Sequence, residues 1–173
     1  MNKIFFKKPY VFKKKIFFDK RGYFQELYTK KKNNINLKFT AIAYSKKGVI
    51  RGFHVQRKKM QTMLVSVIKG KITDYCIDLR KNSKNFCKVY KNIIYPGKLL
   101  YIPKGFAHGY EALEKENIIL YHLSNLRDKK SEIGISWEEK LFNINWKFKK
   151  PILSKKDKSN ITLDEFVNKF KGL

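Results

Sequence analysis

Two of the three histidines in this 173-residue sequence sit in company suited to chemistry. In Arg51-Gly52-Phe53-His54-Val55-Gln56, the two-residue period of an extended chain sets Arg51, Phe53 and Val55 on one face. Gly52, His54 and Gln56 fall on the other, a polar row that suits the inside of a barrel. In Ile102-Pro103-Lys104-Gly105-Phe106-Ala107-His108-Gly109-Tyr110, His108 follows a tight turn, and its neighbouring glycines allow backbone or ligand to approach closely. A metal held on histidine and carboxylate takes three or four protein ligands. Here the residue two beyond His54 is Gln56, a poor ligand, and only His108 and the distant His122 remain. Proton transfer asks for less, because one histidine near a tyrosine suffices. Tyr121, in Ile118-Ile119-Leu120-Tyr121, is the strand tyrosine best suited, although among ten tyrosines residue type alone carries little signal. Glycine-rich phosphate loops, a nucleophile elbow and EF-hand spacing are all absent.

Such side chains need a rigid frame, and the sequence offers strands. Residues 61–68, 71–79, 88–94, 99–102 and 117–123 are rich in β-branched and aromatic residues and short enough for strands. Between them stand the turn signals Lys69-Gly70, Lys81-Asn82-Ser83, Pro96-Gly97 and Pro103-Lys104-Gly105. Regular short strands without βαβ alternation predict an all-β sandwich or barrel. The N-terminal third continues raggedly, with extended candidates at 16–18, 23–28 and 39–44 around a Lys/Asn-rich loop at 30–36. At the other end Leu163, Phe166, Val167 and Phe170 recur at helical spacing behind Thr162, which predicts a short capped amphipathic helix. No repeat or linker divides the chain, so residues 1–173 read as a single domain.

The charge is extreme. Forty Lys and Arg against fourteen Asp and Glu give a formal net charge of +26, which raises the question of a nucleic-acid or membrane-surface partner. Yet only five of the forty are arginine (Arg21, Arg51, Arg57, Arg80, Arg127), and planar bidentate recognition of phosphates and bases favours arginine. With alanine scarce and Lys, Asn, Ile, Phe and Tyr abundant, the excess reads as a compositional drift rather than a nucleic-acid interface. No run of 18 apolar residues suggests a membrane span. The opening residues mix charge and aromatics too evenly for a signal peptide, so the cytoplasm is the expected compartment. Cys76 and Cys87 lack metal-ligand spacing and read as reduced core thiols.

Taken in order, several segments resemble the family of dTDP-4-dehydrorhamnose 3,5-epimerases. They are Asp19-Lys20-Arg21-Gly22-Tyr23-Phe24-Gln25-Glu26, Ser45-Lys46-Lys47-Gly48-Val49-Ile50-Arg51-Gly52-Phe53-His54-Val55-Gln56, Gly70-Lys71-Ile72-Thr73-Asp74 and Asp78-Leu79-Arg80-Lys81-Asn82-Ser83. The Ile102–Tyr110 segment follows, then Gly134-Ile135-Ser136-Trp137, Ile144-Asn145-Trp146 and Leu153-Ser154-Lys155-Lys156-Asp157. The resemblance implies a cupin-type double-stranded β-helix, or jelly roll, with a short C-terminal helix. It also implies a homodimer in which N-terminal strands help complete the neighbouring subunit, and catalysis without metal or organic cofactor. The implied reaction is epimerisation at C3, C5 or both of a nucleoside-diphosphate 4-keto-6-deoxy sugar, for surface-polysaccharide synthesis. Nucleic acid and membrane are not among the implied partners. By the same resemblance His54 is the general base, Asp157 the carboxylate that orients it, and Tyr121 the acid on the opposite face. Arg21, Glu26, Arg51, His108, Glu132 and Lys156 fall on substrate-binding positions.

The sequence departs from the family pattern at a few positions. Typical members carry a lysine, able to stabilise the enolate oxygen, where this chain has Met63, a thioether that donates no hydrogen bond. Arg57, Lys58 and Lys59 are the nearby cations available to replace it. Ala41, Ala43 and Leu126 stand where nucleotide-contacting side chains are usual. The alternatives are a 3,4-ketoisomerase of the same fold, which Gln56 in place of a second histidine disfavours, and a non-catalytic nucleotide-sugar binder, which Met63 motivates.

Overall fold

A computed structural model of the chain describes residues 6–29 and 35–173; most of the Lys/Asn-rich loop, at 30–34, lies outside the described residues. The first five-stranded sheet runs in the order β1 (Tyr10–Lys13), β9 (Lys98–Ile102), β6 (Met63–Lys69), β11 (Glu116–Leu123) and β4 (Phe39–Lys46). A second runs β12 (Glu132–Gly134), β5 (Ile50–Gln56), β10 (Phe106–Ala112), β7 (Ile72–Asp78) and β8 (Val89–Ile94). Every pairing is antiparallel, including the separate hairpin of β2 (Ile16–Asp19) and β3 (Gly22–Gln25).

Alternation along the strands sorts the apolar side chains into three layers. Met63, Val65 and Val67 of β6, Leu100 and Ile102 of β9, and Ile119 and Leu123 of β11 face inward. There they meet Ile72, Cys76, Ile94, Phe106, Tyr110 and Ala112 of the opposite sheet. The intervening residues Leu64, Leu99 and Tyr101 point outward and are covered by Phe6, Phe12, Tyr28, Ile35 and Leu37. On the far side of the other sheet, Phe53, Tyr75, Ile77 and Ala107 are covered by the C-terminal segment through Phe142, Trp146, Leu163 and Phe166. Both β7 and β10 are buried on both faces, so neither shows the polar alternation of a half-exposed strand.

The C-terminal cover contains two short helices, α1 (Lys155–Lys158) and α2 (Leu163–Phe170). Thr162 caps α2: its hydroxyl accepts from Glu165 N, while the Glu165 carboxylate accepts from Thr162 N. The sequence therefore locates this helix and its cap to the residue. It did not resolve β1, β10, β12 or α1 as elements. Cys76 and Cys87 are free thiols. Among the described residues no helix is long and apolar enough to cross a membrane.

Candidate active site

A cavity of about 380 Å³ opens between the two sheets at the ends of β5, β6, β10 and β11. Period-two alternation carries His108 and Tyr110 of β10 into it, and likewise Tyr121 of β11. On β5 the alternation breaks. The step from His108 to Tyr110 on β10 faces the longer step from His54 to Arg51 on β5, which is a β-bulge. Its extra residue turns Arg51 onto the same face as His54, so both line the cavity; the sequence alone had set them on opposite faces. Two glycines make this junction possible. A Cβ on Gly52, whose φ is +116°, would lie 2.6 Å from Gly109 Cα, and one on Gly109 would lie 2.8 Å from Arg51 O.

Each cavity histidine faces a buried aspartate. His54 Nε2 lies 2.8 Å from Asp157 Oδ1, although 103 positions separate these residues in the chain. Parallel bridging of Val49 with Ile152 seats the C-terminal segment beside β5, and α1 then presents Asp157. Ser154, the cap of α1, donates to Asp157 Oδ2 at 2.7 Å, and Gly52 N donates to Oδ1 at 3.4 Å. Burial pushes the Asp157 carboxyl up, but these donors and His54 outweigh it and hold its pKa below the ordinary range. His108 Nδ1 lies 2.8 Å from Asp74 Oδ2, and Cys76 Sγ donates to the other Asp74 oxygen at 3.2 Å. The sequence had not marked Asp74 as a site residue. Its signal was a charged residue in a wholly buried strand, visible only once β7 is known to be covered on both faces.

Tyr121 sits across the cavity, its ring 5.9 Å from that of His108. Burial first, then the neighbouring Tyr110 and Asp74, push its phenol well above the ordinary tyrosine range, so it stays protonated. Tyr110 lines the same cavity. Its Oη is 2.9 Å from Ser45 Oγ, which accepts from Arg51 Nε at 3.1 Å. At the rim, Glu132 is gripped by Arg127 Nε at 2.9 Å and by the Lys156 ammonium. Burial raises its pKa, but the two cations dominate and hold it down at about 2. Arg127, which the sequence reading passed over as a site residue, lines the cavity beside Arg51 and Lys156.

Other expected residues lie elsewhere. Arg21 pairs with Asp19 at the turn of the β2–β3 hairpin, and neither it nor Glu26 lines this cavity. Met63 does line it. Arg57, Lys58 and Lys59 do not: the Arg57 guanidinium packs over the Phe170 ring at 5.1 Å, and hydrogen bonds pin the loop backbone at Lys58, Lys59 and Met60. Gln56 is used in that pinning. Its amide donates to Lys59 O and Leu126 O and accepts from Asp128 N, tying two loops together. His122 faces away from the cavity, its Nδ1 3.0 Å from Thr40 Oγ1. No three His, Cys, Asp or Glu residues cluster for a metal among the described residues.

The family model described as dTDP-4-dehydrorhamnose 3,5-epimerase matches residues 4–165. The chain belongs to that family. Within this epimerase family, which is one of isomerases, it is 38% identical over 156 residues to the Shigella flexneri dTDP-4-dehydrorhamnose 3,5-epimerase, covering 85% of this chain and 86% of that protein. The Bacillus anthracis dTDP-4-dehydrorhamnose 3,5-epimerase, solved with TDP and pyrophosphate bound, superposes with a TM-score of 0.87 at 32% identity. That match covers 94% of this chain and 99% of the other. The Legionella pneumophila epimerase, solved with dTDP-4-keto-L-rhamnose, also gives 0.87, at 28% identity over 94% of this chain and 91% of its own. The two facing sheets and short C-terminal helix are thus the cupin-type fold of the epimerase family.

Proposed function

We propose that this chain inverts C3, C5 or both of a nucleoside-diphosphate 4-keto-6-deoxy sugar, with dTDP the first nucleotide to consider. The observation that carries this reading is the His54–Asp157 pair facing Tyr121 across one cavity. A C4 ketone acidifies the hydrogens on C3 and C5, so the sugar supplies its own electron sink. His54 removes one of these protons. With Nε2 against Asp157, Nδ1 is the nitrogen left to act, and the carboxylate stabilises the imidazolium that forms. Tyr121 returns a proton to the opposite face, which inverts the carbon.

Met63 offers the enolate oxygen nothing, and His108, held by Asp74, takes that role. Arg51, Arg127 and Lys156 hold the diphosphate, and Glu132 keeps two of these cations in place. Arg21 and Glu26 reach substrate from a second copy of the chain, in a homodimer. The β2–β3 hairpin that carries Arg21 has Phe17, Phe18, Tyr23 and Phe24 exposed, an apolar surface suited to such a contact.

The reaction is tested by NMR in D₂O with dTDP-, GDP- and CDP-linked 4-keto-6-deoxy sugars. Deuterium should enter C3 or C5, and His54→Ala should abolish its entry. Tight binding with no exchange would indicate a binding protein, and migration of the carbonyl to C3 would indicate a ketoisomerase. Gln56, with both ends of its amide occupied by backbone, gives the second outcome no support.

A further inference from the structure

Two helices in this chain begin with the same pattern, a hydroxyl at the cap and an acid three residues later. They are Ser154-Lys155-Lys156-Asp157 at α1 and Thr162-Leu163-Asp164-Glu165 at α2. Both caps accept from the backbone N–H of the acid, Ser154 Oγ from Asp157 N at 3.0 Å and Thr162 Oγ1 from Glu165 N at 3.1 Å. The acids then part. Glu165 turns back on its own cap, where one oxygen, Oε2, accepts from Thr162 N at 2.7 Å and from Thr162 Oγ1 at 3.1 Å. That carboxylate is used within the helix it starts.

Asp157, one methylene shorter, divides its two oxygens. Oδ2 accepts from the Ser154 hydroxyl at 2.7 Å, which leaves Oδ1 to stand 2.8 Å from His54 Nε2 and to accept from Gly52 N. The hydrogens follow from what each group can do. A carboxylate only accepts, so Ser154 must donate to Oδ2 while its oxygen caps Asp157 N. For the same reason the imidazole nitrogen beside Oδ1 is the one that carries hydrogen in the neutral ring, since two acceptors facing each other at that distance would repel. Nδ1 is then bare, as a base must be.

We propose that Ser154 is a positioning residue for His54: by holding Asp157 Oδ2 it turns Oδ1 to His54 Nε2, which fixes the imidazole tautomer with Nδ1 ready to take a proton. The proposal rests on the reading of His54 as the base. Among the described residues nothing else donates to Asp157 Oδ2. A buried carboxylate oxygen does not stay unpaired. Without the serine hydroxyl, Asp157 would turn back on its own cap, as Glu165 does in α2, and release the ring. The same turn carries Lys156 to the rim of the cavity. Loss of the cap alone would therefore show in substrate binding, whereas loss of the donor shows in the chemical step.

Ser154→Gly and Ser154→Ala both delete the hydroxyl, but glycine is nearly as good a helix cap as serine and alanine is not. A role in capping alone predicts a glycine variant close to wild type and a weaker alanine variant. Positioning predicts that both lose about tenfold in kcat for inversion, the worth of one hydrogen bond to a charged group, with KM for Ser154→Gly within about twofold of wild type. Ser154→Thr keeps donor and cap and should restore the rate; Ser154 is exposed, so the extra methyl group has room. A second readout needs no substrate. In ¹⁵N NMR at alkaline pH, where an imidazole is neutral, the His54 signals are those lost in His54→Ala. They should show Nε2 protonated and Nδ1 bare in the wild-type protein, and both should move toward a common averaged value in Ser154→Gly. A glycine variant with wild-type kcat, or an unchanged His54 tautomer, overturns the proposal. Should the wild-type protein exchange no sugar proton, the proposed reaction fails, while the ¹⁵N spectrum still judges the positioning of His54 on its own.

Discussion

At the scale of single residues, the cavity works by pairing each useful charge with a partner that cannot move away. Glu132 is the clearest case, with a pKa of about 2 between Arg127 and Lys156. Because its folded-state pKa lies below the unfolded value, its contribution to stability is full above about pH 5 and is lost as the pH falls towards 2. Chemical denaturation at several pH values should show this acid-side loss, on the order of 3 kcal/mol, and Glu132→Gln should flatten it. His54→Ala is expected to reduce epimerisation by at least about 10²–10⁴-fold, the usual contribution of a positioned base, as read by the rate of deuterium entry. Met63→Lys should lower activity: Met63 packs in the apolar cluster with Val65, Ile102 and Leu123, where an unpaired ammonium is costly. A rate gain from that variant would instead mark the thioether as a defect. Sequence alone gave His54 its polar setting, but Asp157 became a candidate only through the family resemblance, because no local pattern joins residues so far apart. Asp74, Tyr110 and Ser45 stayed hidden for a related reason. Their meaning lies in partners on other strands, and each is unremarkable within its own segment.

At the scale of elements, the site depends on how closely β5 and β10 approach. Gly109→Ala would press a methyl group to 2.8 Å from Arg51 O and 2.9 Å from the Phe53 ring. We expect it to cost about 1–3 kcal/mol, as overpacking does, and to lower kcat by displacing both histidines, measured by thermal melting and turnover on the same sample. Thr162→Ala should cost about 1 kcal/mol through loss of the α2 cap, with activity at saturating substrate unchanged. The half-buried strands and α2 were legible because their periodicity or capping is local. β10 was not: β7, equally buried on both faces, is marked by β-branched and aromatic residues, whereas β10 carries Gly109 just after the Pro103-Lys104-Gly105 turn and mimics a loop. The bulge on β5 was also invisible: an extra residue leaves no mark on composition, yet it moved Arg51 from one face to the other. Gln56 shows the same limit from another side, a polar residue in a polar row whose work is to tie loops rather than to meet substrate.

At the scale of the whole molecule, the +26 charge surrounds a cavity whose proposed ligand carries a diphosphate. Long-range attraction of this kind is screened by salt. Raising ionic strength from about 50 to about 500 mM should therefore raise KM several-fold while leaving kcat unchanged; equal losses in both would place the salt effect on the chemistry instead. The composition thus bears on encounter, whereas the placed arginines bear on recognition. The C-terminal cover has a consequence for synthesis. Asp157 comes last in the chain among the groups proposed for proton transfer, and it reaches His54 only after the segment from Ile152 has docked beside β5. A nascent chain halted at residue 150 carries the acid and Arg51, but it has neither the carboxylate that orients the base nor the Lys156 ammonium at the cavity rim. During translation, competence arrives with the docking of one late segment.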